Sequence, residues 1–483
     1  MKRVFSNVPE WAWVALGALV AFVVYASCRL PGFGEQDSAR LAEDSVLWHF
    51  ARSVAIDDFD YRLRTSPLYI HFIKVALDVG LPIRRVPALM NWFGAFMSGV
   101  CLAGLYYLFK VFSERALAAT AVALCALTPG FWVCSIYGIP TIPGLTLWVL
   151  SALAFARACT LERWRDPKFT AFVILSGLLG FLALSLKADL ILCSGLFLAL
   201  ALKQRGRRLF LMATAAATVT TALGASLLYT HAISSTHSAF GHESQRQSLS
   251  DFSSGWSTRF PFDVDYLLNA NNSATITHAA GSVLFATMAV AVLSGLLAGG
   301  KSAQIARAAT LAAVPTILFW GLKSGNSARH NVPALPLLVL AACNLFFVAT
   351  GSAARARLLV ALVLLFSCLD TTGRGSVVPP ANLQLLTQQL HTSSHQLHQS
   401  ARDFLRQPGP RKALIEGYLS AYDEFEAFAL EGRLRFDPVA MEITREPDQH
   451  IRLVHVRDSG DARRRAQALR DEGWQVFSLQ YKL

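Results

Sequence analysis

Residues 11–50 read WAWVALGALVAFVVYASCRLPGFGEQDSARLAEDSVLWHF. The first part, 11–28, carries no charged residue and is long enough to cross a ~30 Å hydrocarbon core as a helix, which takes about 20 mostly apolar residues. The part that follows turns polar at once and repeats apolar residues at helical spacing. No small-x-small site precedes Arg29, so 11–28 reads as a retained span and not as a cleaved signal peptide. Working outward, comparable apolar runs lie near 86–109, 117–133, 140–156, 169–186, 188–202, 209–230, 276–299, 308–322, 332–350 and 358–371. The reading is mainly α: a polytopic transmembrane helix bundle of about eleven spans.

Composition and charge agree. Of 483 residues, 53% are hydrophobic and 16% charged, against about 45–50% and about 25% in soluble proteins. A single soluble core, a disordered chain and a small disulfide scaffold are excluded. Placing the N-terminus inside puts sixteen basic residues and four acids (Glu10, Glu114, Glu162 and Asp166) on inner segments, while the short outer loops hold five basic residues. That is the asymmetry of the positive-inside rule. The inner segments alone account for the formal charge of +12. The charge therefore reports orientation, with the C-terminus outside, and nucleic acid is excluded as a partner.

This topology divides the chain into a membrane domain, 1–371, and a small α/β domain, 372–483, on the outer side. The second opens with a polar linker, 371–401. A helical stretch is predicted over 412–430, strands over 451–456 and 475–481, and a charged helix over 461–471. It has no phosphate loop, and an accessory or docking role is expected. The eight cysteines fall in spans or at their ends. They read as packing residues, with a bridge from Cys28 to Cys368 or Cys134 left open.

The outer loop 29–85 is too long for a plain connection and falls in the length range where loops are functional. Apolar residues over 38–52 (Leu41, Ala42, Val46, Trp48) and 68–81 (Ile70, Ile73, Leu77, Leu81) recur at helical spacing. Both predict amphipathic helices lying in the interface.

Asp37-Ser38-Ala39-Arg40-Leu41-Ala42, just after the first span, resembles the Asp-Glu-x-x-Tyr-type motif of the GT-C glycosyltransferase superfamily. The nearer members are the protein O-mannosyltransferases and the enzymes that add aminoarabinose to lipid A. Three further segments follow in that superfamily's order. Ser66-Pro67-Leu68-Tyr69 resembles its Pro-Pro-Leu-Tyr segment, Leu184-Ser185-Leu186-Lys187 its Leu-Thr-Lys turn, and Arg329-His330-Asn331-Val332-Pro333-Ala334-Leu335-Pro336 its Arg-Tyr-x-x-Pro-x-x-Pro span. Ser38 and Leu41 stand where relatives carry Glu and often Tyr, and Ser66 replaces one proline. The outer loop 135–141 lacks the acid several relatives have there.

The resemblance implies transfer of a sugar from a polyprenyl-phosphate donor to an acceptor outside the cytoplasm: an envelope glycan, a lipid or a protein. Such a reaction needs a base for the acceptor hydroxyl and positive charge against the departing phosphate. A carboxylate opposite the leaving group favours inversion. Asp37 is the base candidate, with helix capping as its ordinary alternative. Glu35 is either a second acid or a solvated loop charge. Arg40 either orients Asp37 and touches phosphate or pairs with Glu43 or Asp44. Lys187 lies between two apolar runs, where charges are expensive and tend to be functional; its expected role is phosphate contact, with Asp189 as a neutralising partner. Arg329 and His330, near Lys323, are candidates for phosphate or for lipid headgroups. Pro333 and Pro336 predict a bent helix beside a cavity.

His391, His395 and His398 share a helical face but lack an accompanying acid, and Asp57, Asp58 and Asp60 miss calcium-loop spacing. No metal site is assigned, and a divalent cation is not indicated. The expected partners are membrane lipid, the polyprenyl-phosphate sugar and its acceptor. The expected location is a bacterial inner membrane. The alternative is a transporter or flippase of lipid-linked or small polar substrates, for which Lys187 and Asp189 would mark an ion path. Against it, hydropathy shows no internal repeat and no paired broken helices.

Overall fold

The computed structural model describes residues 9–29, 36–50, 66–161, 165–204, 206–237, 300–322, 328–352, 411–417, 435–437, 442–446, 449–455 and 460–479, with scattered positions between 354 and 407. The chain forms two compact units. One comprises Met1–Arg29, Trp92–Thr230 and Gln245–Ala381; the other comprises Leu30–Asn91, His231–Ser244 and Asn382–Leu483.

The first unit is helical. Among the described residues, helices α1 (Glu10–Ser27), α4 (Val86–Phe112, entered through a short 3-10 turn at Ile83–Arg85), α7 (Thr141–Thr160), α8 (Pro167–Leu186), α10 (Arg208–His237) and α12 (Leu335–Thr350, counted with the turn before it as His330–Val348) supply six segments long and apolar enough to cross a membrane. A seventh is counted if α5 (Arg115–Leu127) and α6 (Pro129–Ile136), bent by 65° at their junction, form one broken span. The apolar helices Ala188–Leu202 and Ala303–Phe319, the latter within α11 (Lys301–Leu322), are shorter. The predicted runs 276–299 and, apart from Leu358, 358–371 lie outside the described residues.

Local chemistry sets where these helices start and stop. Asp166 caps α8 by accepting a bond from the Lys168 backbone N–H at 2.9 Å, and Pro167 sits in the first turn, where its missing N–H costs nothing. Thr128 is extended before Pro129 (φ −68°, ψ 138°), as proline requires of the residue before it. That breaks the run 117–133, predicted as one span. Gly351 ends α12 in the left-handed region at φ +61°.

Lipid is as apolar as leucine, so helix packing in the bilayer relies on close approach and interhelical hydrogen bonds. Both occur here. A Cβ on Gly99 of α4 would lie 2.5 Å from the Ala18 carbonyl oxygen of α1, and one on Gly180 of α8 would lie 3.2 Å from Ala222 Cβ of α10. The Ser151 hydroxyl of α7 donates to the Ser176 carbonyl of α8 at 2.7 Å, and the Ser176 hydroxyl returns a bond to the Ser151 carbonyl at 2.9 Å. Trp148 and Phe155 of α7 pack on Phe197 of the short helix α9 (Gly195–Leu202) with ring centroids 5.0 and 5.6 Å apart.

The second unit contains α2 (Gln36–Phe50), α3 (Pro67–Asp78) and a sheet. Ile70, Ile73 and Leu77 are buried on α3, the face the spacing predicted. On α2 the predicted Leu41, Ala42, Val46 and Trp48 are buried, but so are Ser38, Asp44 and Ser45, so burial there extends beyond the apolar face. The two helices are clasped. His49 Nδ1 lies 2.7 Å from Asp78 Oδ1, Lys74 Nζ lies 2.5 Å from Asp78 Oδ2, and the His71 ring sits 5.2 Å from the Trp48 ring.

The sheet has strand order β2-β3-β4-β1-β5, with β1 (Arg411–Gly417), β2 (Arg435–Asp437), β3 (Glu442–Glu446), β4 (Gln449–His455) and β5 (Gln475–Leu479); α13 (Gly460–Asp471) links the last two. β4 and β5 match the strands predicted at 451–456 and 475–481, and α13 the charged helix. The start of the stretch predicted as helix, 412–430, is instead a strand, and 418–430 lies outside the described residues. The reason is tertiary. Lys412-Ala413-Leu414-Ile415 suits a helix by propensity, but β1 is an interior strand, parallel to β4 on one side and β5 on the other, with Ile415 opposite both Leu453 and Phe477. Burial between two neighbours overrides local preference. No disulfide joins Cys28 to Cys134 among the described residues, and Cys368 lies outside them. The histidines 391, 395 and 398 and the aspartates 57, 58 and 60 also lie outside the described residues.

Two predictions follow from this packing. Gly99→Ala should lower the thermal unfolding midpoint of the purified protein, at a cost of about 1–3 kcal/mol. Gly224→Ala, with nothing within 4 Å of the added Cβ, should leave the midpoint unchanged or raise it, for a gain in stability of about 0.5–1 kcal/mol. The second concerns the clasp. Partial burial opposes ionisation of Asp78, but the bonds from Lys74 and His49 outweigh it and hold the carboxyl below its usual range. The clasp is therefore complete above the ordinary carboxylate value, about 3.9, and is lost as pH falls through the lower folded value. Asp78→Asn should speed amide hydrogen exchange in residues 66–78 at neutral pH, costing at most about 1 kcal/mol for so exposed a pair; the variant and the parent should converge on acidification.

Candidate functional site: a buried Lys–Asp–His cluster at two helix breaks

Helix α8 stops at Leu186 because Lys187 is extended (φ −155°, ψ 98°), and the chain continues as a 3-10 turn, Ala188–Cys193, before α9. A second 3-10 segment, Ala328–Ala334, leads into α12. Proline accounts for part of this second break: Pro333 lies within the 3-10 segment, and Pro336 lies in the first turn of α12. The sequence marked both places, with Lys187 between two apolar runs and Pro333 and Pro336 in the late span, but gave no sign of the 3-10 turns.

The two breaks meet. Lys187 Nζ lies 3.0 Å from Asp189 Oδ2 and 3.4 Å from His330 Nδ1; His330 Nδ1 lies 3.6 Å from Asp189 Oδ2. The three side chains are only 10%, 12% and 17% exposed. Neither Asp189 oxygen has an aligned hydrogen bond among the described residues, so the carboxylate is held by charge at short range and keeps acceptor capacity. The cluster carries one fixed positive and one fixed negative charge, with an imidazole between them able to add a second positive charge.

Small residues let the turn sit where it does. Gly144 of α7 faces it, and a Cβ there would come within 3.1 Å of Lys187 Cβ and 3.0 Å of Leu190 Cδ1. Cys193 Sγ lies 3.2 Å from Thr316 Oγ1 of α11, and Gly195 packs on the Ala312 backbone. The turn is therefore walled by α7 and α11, as irregular backbone at membrane depth must be.

Of the residues the sequence singled out, the structure brings Lys187 and His330 together across 143 positions, with Asp189 in the neutralising role expected of it. Arg329 adjoins His330 in the 3-10 segment. Asp37 lies in the first turn of α2, inside the helix where a cap was the alternative reading, and Arg40 lies one turn on. Both belong to the second unit. For Arg329, Asp37 and Arg40 only the backbone is described; Glu35 and Lys323 lie outside the described residues. Gly144 and the buried Asn331 had no predicted role. The signal for Gly144 is its place beside Pro143 at the start of a span; for Asn331 it is a polar residue between His330 and an apolar run.

No family model matches the chain, and no curated protein does. Among solved structures, ArnT from Cupriavidus metallidurans is similar in its apo state, with 16% identity, a TM-score of 0.54 and coverage of 86% of this chain and 84% of that one. The same protein bound to undecaprenyl phosphate matches with 14% identity and a TM-score of 0.53 over 97% and 90% of the two chains. An oligosaccharyltransferase from Archaeoglobus fulgidus gives 12% identity and a TM-score of 0.49; this chain spans 64% of its length. The chain therefore shares the fold of ArnT, and the GT-C resemblance read from its motifs is borne out at the level of the fold.

Proposed function

We propose that this protein is an integral membrane glycosyltransferase that takes a sugar from a polyprenyl-phosphate donor and passes it to an extracytoplasmic acceptor. The observation that carries the reading is the convergence of Lys187 and His330 in a buried polar cluster. Support comes from the fold shared with ArnT, a protein crystallised with undecaprenyl phosphate. A lipid phosphate arriving at the cluster would meet the Lys187 ammonium and the His330 imidazole, with Arg329 beside them in sequence. The phosphate would compete with Asp189 for the same donors, so the cation would not be left bare between turnovers.

In this reading Asp37 accepts the proton of the acceptor hydroxyl as its oxygen attacks the anomeric carbon. The bond from that carbon to the donor phosphate breaks, and the phosphate leaves on the lipid with its charge on Lys187 and His330. Attack opposite the leaving group inverts the centre. Arg40, one turn from Asp37, orients the carboxylate, and Glu35 is a second acid nearby. The protein sits in a bacterial inner membrane, with about eleven spans, the N-terminus in the cytoplasm and the segment 372–483 outside as an accessory domain. The acceptor is an envelope glycan, a lipid or a protein. The second reading, a transporter or flippase, is favoured by the buried Lys187–Asp189 pair.

One assay separates them. In vesicles supplied with polyprenyl-phosphate sugar, Asp37→Asn should abolish transfer, by at least ~100-fold, at unchanged expression; unchanged transfer removes Asp37 as the base. Absence of transfer by the parent protein with every donor tried favours the transporter. Lys187→Ala leaves buried Asp189 with only the His330 imidazole, 3.6 Å away, to balance it, a defect of up to about 3–5 kcal/mol. It should therefore lower stability as well as transfer. The double variant Lys187→Ala/Asp189→Ala should recover stability and stay inactive, which separates the phosphate role from the structural one.

A further inference from the structure

A cavity of about 740 Å³ runs beside α1, lined by α1, α4, α5 and α6 from Glu10 at one end to Tyr25 and Trp132 at the other. Fifteen helical residues separate Glu10 from Tyr25, about 22 Å at 1.5 Å per residue. One leaflet of the hydrocarbon core is about 15 Å deep, so the trough is long enough for a whole lipid chain. It exists because its walls are small. Gly17 has nothing within 4 Å of the place a Cβ would occupy, and Ala119 and Ala123 lie exposed on one face of α5.

Its charged groups are gathered at the Glu10 end. There the Tyr106 hydroxyl donates to Glu10 Oε1 at 2.7 Å, Lys110 Nζ donates to both carboxylate oxygens at 2.6 and 2.8 Å, and Arg115 Nη2 lies 3.1 Å from Oε2. Two cations face one carboxylate, so this end carries a surplus positive charge. Lys110 is spent on Glu10. Arg115 makes the longest of the ion-pair contacts and is 71% exposed, which leaves most of its five donors turned to whatever occupies the interface. Trp13 lines the same end, and tryptophan suits that depth.

We propose that this trough binds one membrane phospholipid, with an acyl chain along α1 and the headgroup phosphate on Arg115. The match is one of charge and shape: an occupant must be apolar along about 22 Å and anionic at one end. A guanidinium takes phosphate oxygens in bidentate fashion, and a peptide would leave backbone groups unpaired against the apolar walls. The bound chain also covers the exposed apolar residues by which α1 lines the trough, Trp13, Val20 and Val24. The site is separate from the Lys187 cluster and does not depend on the function proposed for it.

The test uses the full chain purified in mild detergent and stripped of lipid. Phosphatidylglycerol is added, excess is removed by gel filtration, and the lipid retained per chain is measured by mass spectrometry. The parent should retain about one molecule. Arg115→Gln, which leaves the Glu10–Lys110 pair intact, should weaken retention at least tenfold. Ala119→Trp should abolish it at unchanged elution volume. Diacylglycerol with the same chains should be retained at least tenfold less than phosphatidylglycerol. Equal retention by parent and Arg115→Gln, or of the two lipids by the parent, overturns the proposal and leaves ordinary boundary lipid. Displacement of phosphatidylglycerol by equimolar polyprenyl phosphate also overturns it, by assigning the trough to the donor. If Ala119→Trp does not fold, the milder Ala123→Leu and the surface change at Arg115 decide the question.

Discussion

A lysine and an aspartate taken out of water beside each other each cost several kcal/mol, and their attraction repays that only while both stay in place. Lys187 and Asp189 set this condition for the centre of the molecule. They occupy a point where the helical hydrogen-bond ladder has stopped, so the backbone there needs walls as much as the charges need each other. Gly144 and Gly195 provide those walls by letting α7 and α11 come within contact distance of the turn. Larger side chains at either position would hold the neighbouring helix off and let lipid reach an unpaired backbone. His330 arrives from a second break and closes the cluster. The polar centre is therefore a consequence of close apolar packing, not an addition to it.

The same economy runs through the remaining helix contacts. Gly99 against the Ala18 carbonyl, Gly180 against Ala222 and the paired hydroxyls of Ser151 and Ser176 hold helices that have no hydrophobic reason to prefer each other over lipid. Where small residues face a partner, they bring it close. Where they face none, as at Gly17, Ala119 and Ala123, they leave a trough. Composition does not distinguish the two outcomes; the facing helix decides.

That distinction also explains what the sequence disclosed. Long apolar runs have one explanation, and the spans at 11–28, 86–109, 140–156, 169–186, 209–230 and 332–350 correspond to helices close to their expected bounds. The helices α2 and α3 and their apolar residues were equally legible, because a 3.6-residue period survives without knowledge of the partner, whereas the burial of Ser38, Asp44 and Ser45 on α2 was not. The breaks were legible only in part. Hydropathy averages over the extended conformation at Thr128, while a charge between two apolar runs marked Lys187 and two prolines marked the late span, without disclosing the 3-10 turns. The strand at Arg411–Gly417 was misread because its residues are good helix formers and only β4 and β5, later in the chain, make it a strand. Lys187 was suspected from the cost of a charge among apolar residues and His330 from its place with Arg329 at the start of a late span, while their proximity is a property of the fold. Motif order gave the fold; motif chemistry gave only candidates.

The net charge links the two ends of this reasoning. Lys110 and Arg115 belong to the basic set that, under the positive-inside rule, fixes the proposed orientation. Glu10 belongs to the few acids among them. A basic residue that served only to orient the chain would be indifferent to its neighbours, since the rule concerns loops and not contacts. Lys110 and Arg115 instead converge on one carboxylate from the end of α4 and the start of α5. They tie α1 to the bundle at the membrane surface, as Tyr25 ties it at the other end through the Ala126 carbonyl. On the proposed orientation this end of α1 faces the cytoplasmic leaflet, where anionic phosphates are concentrated. The surplus charge that sets direction during insertion is then also the charge best placed to hold a phosphate afterwards.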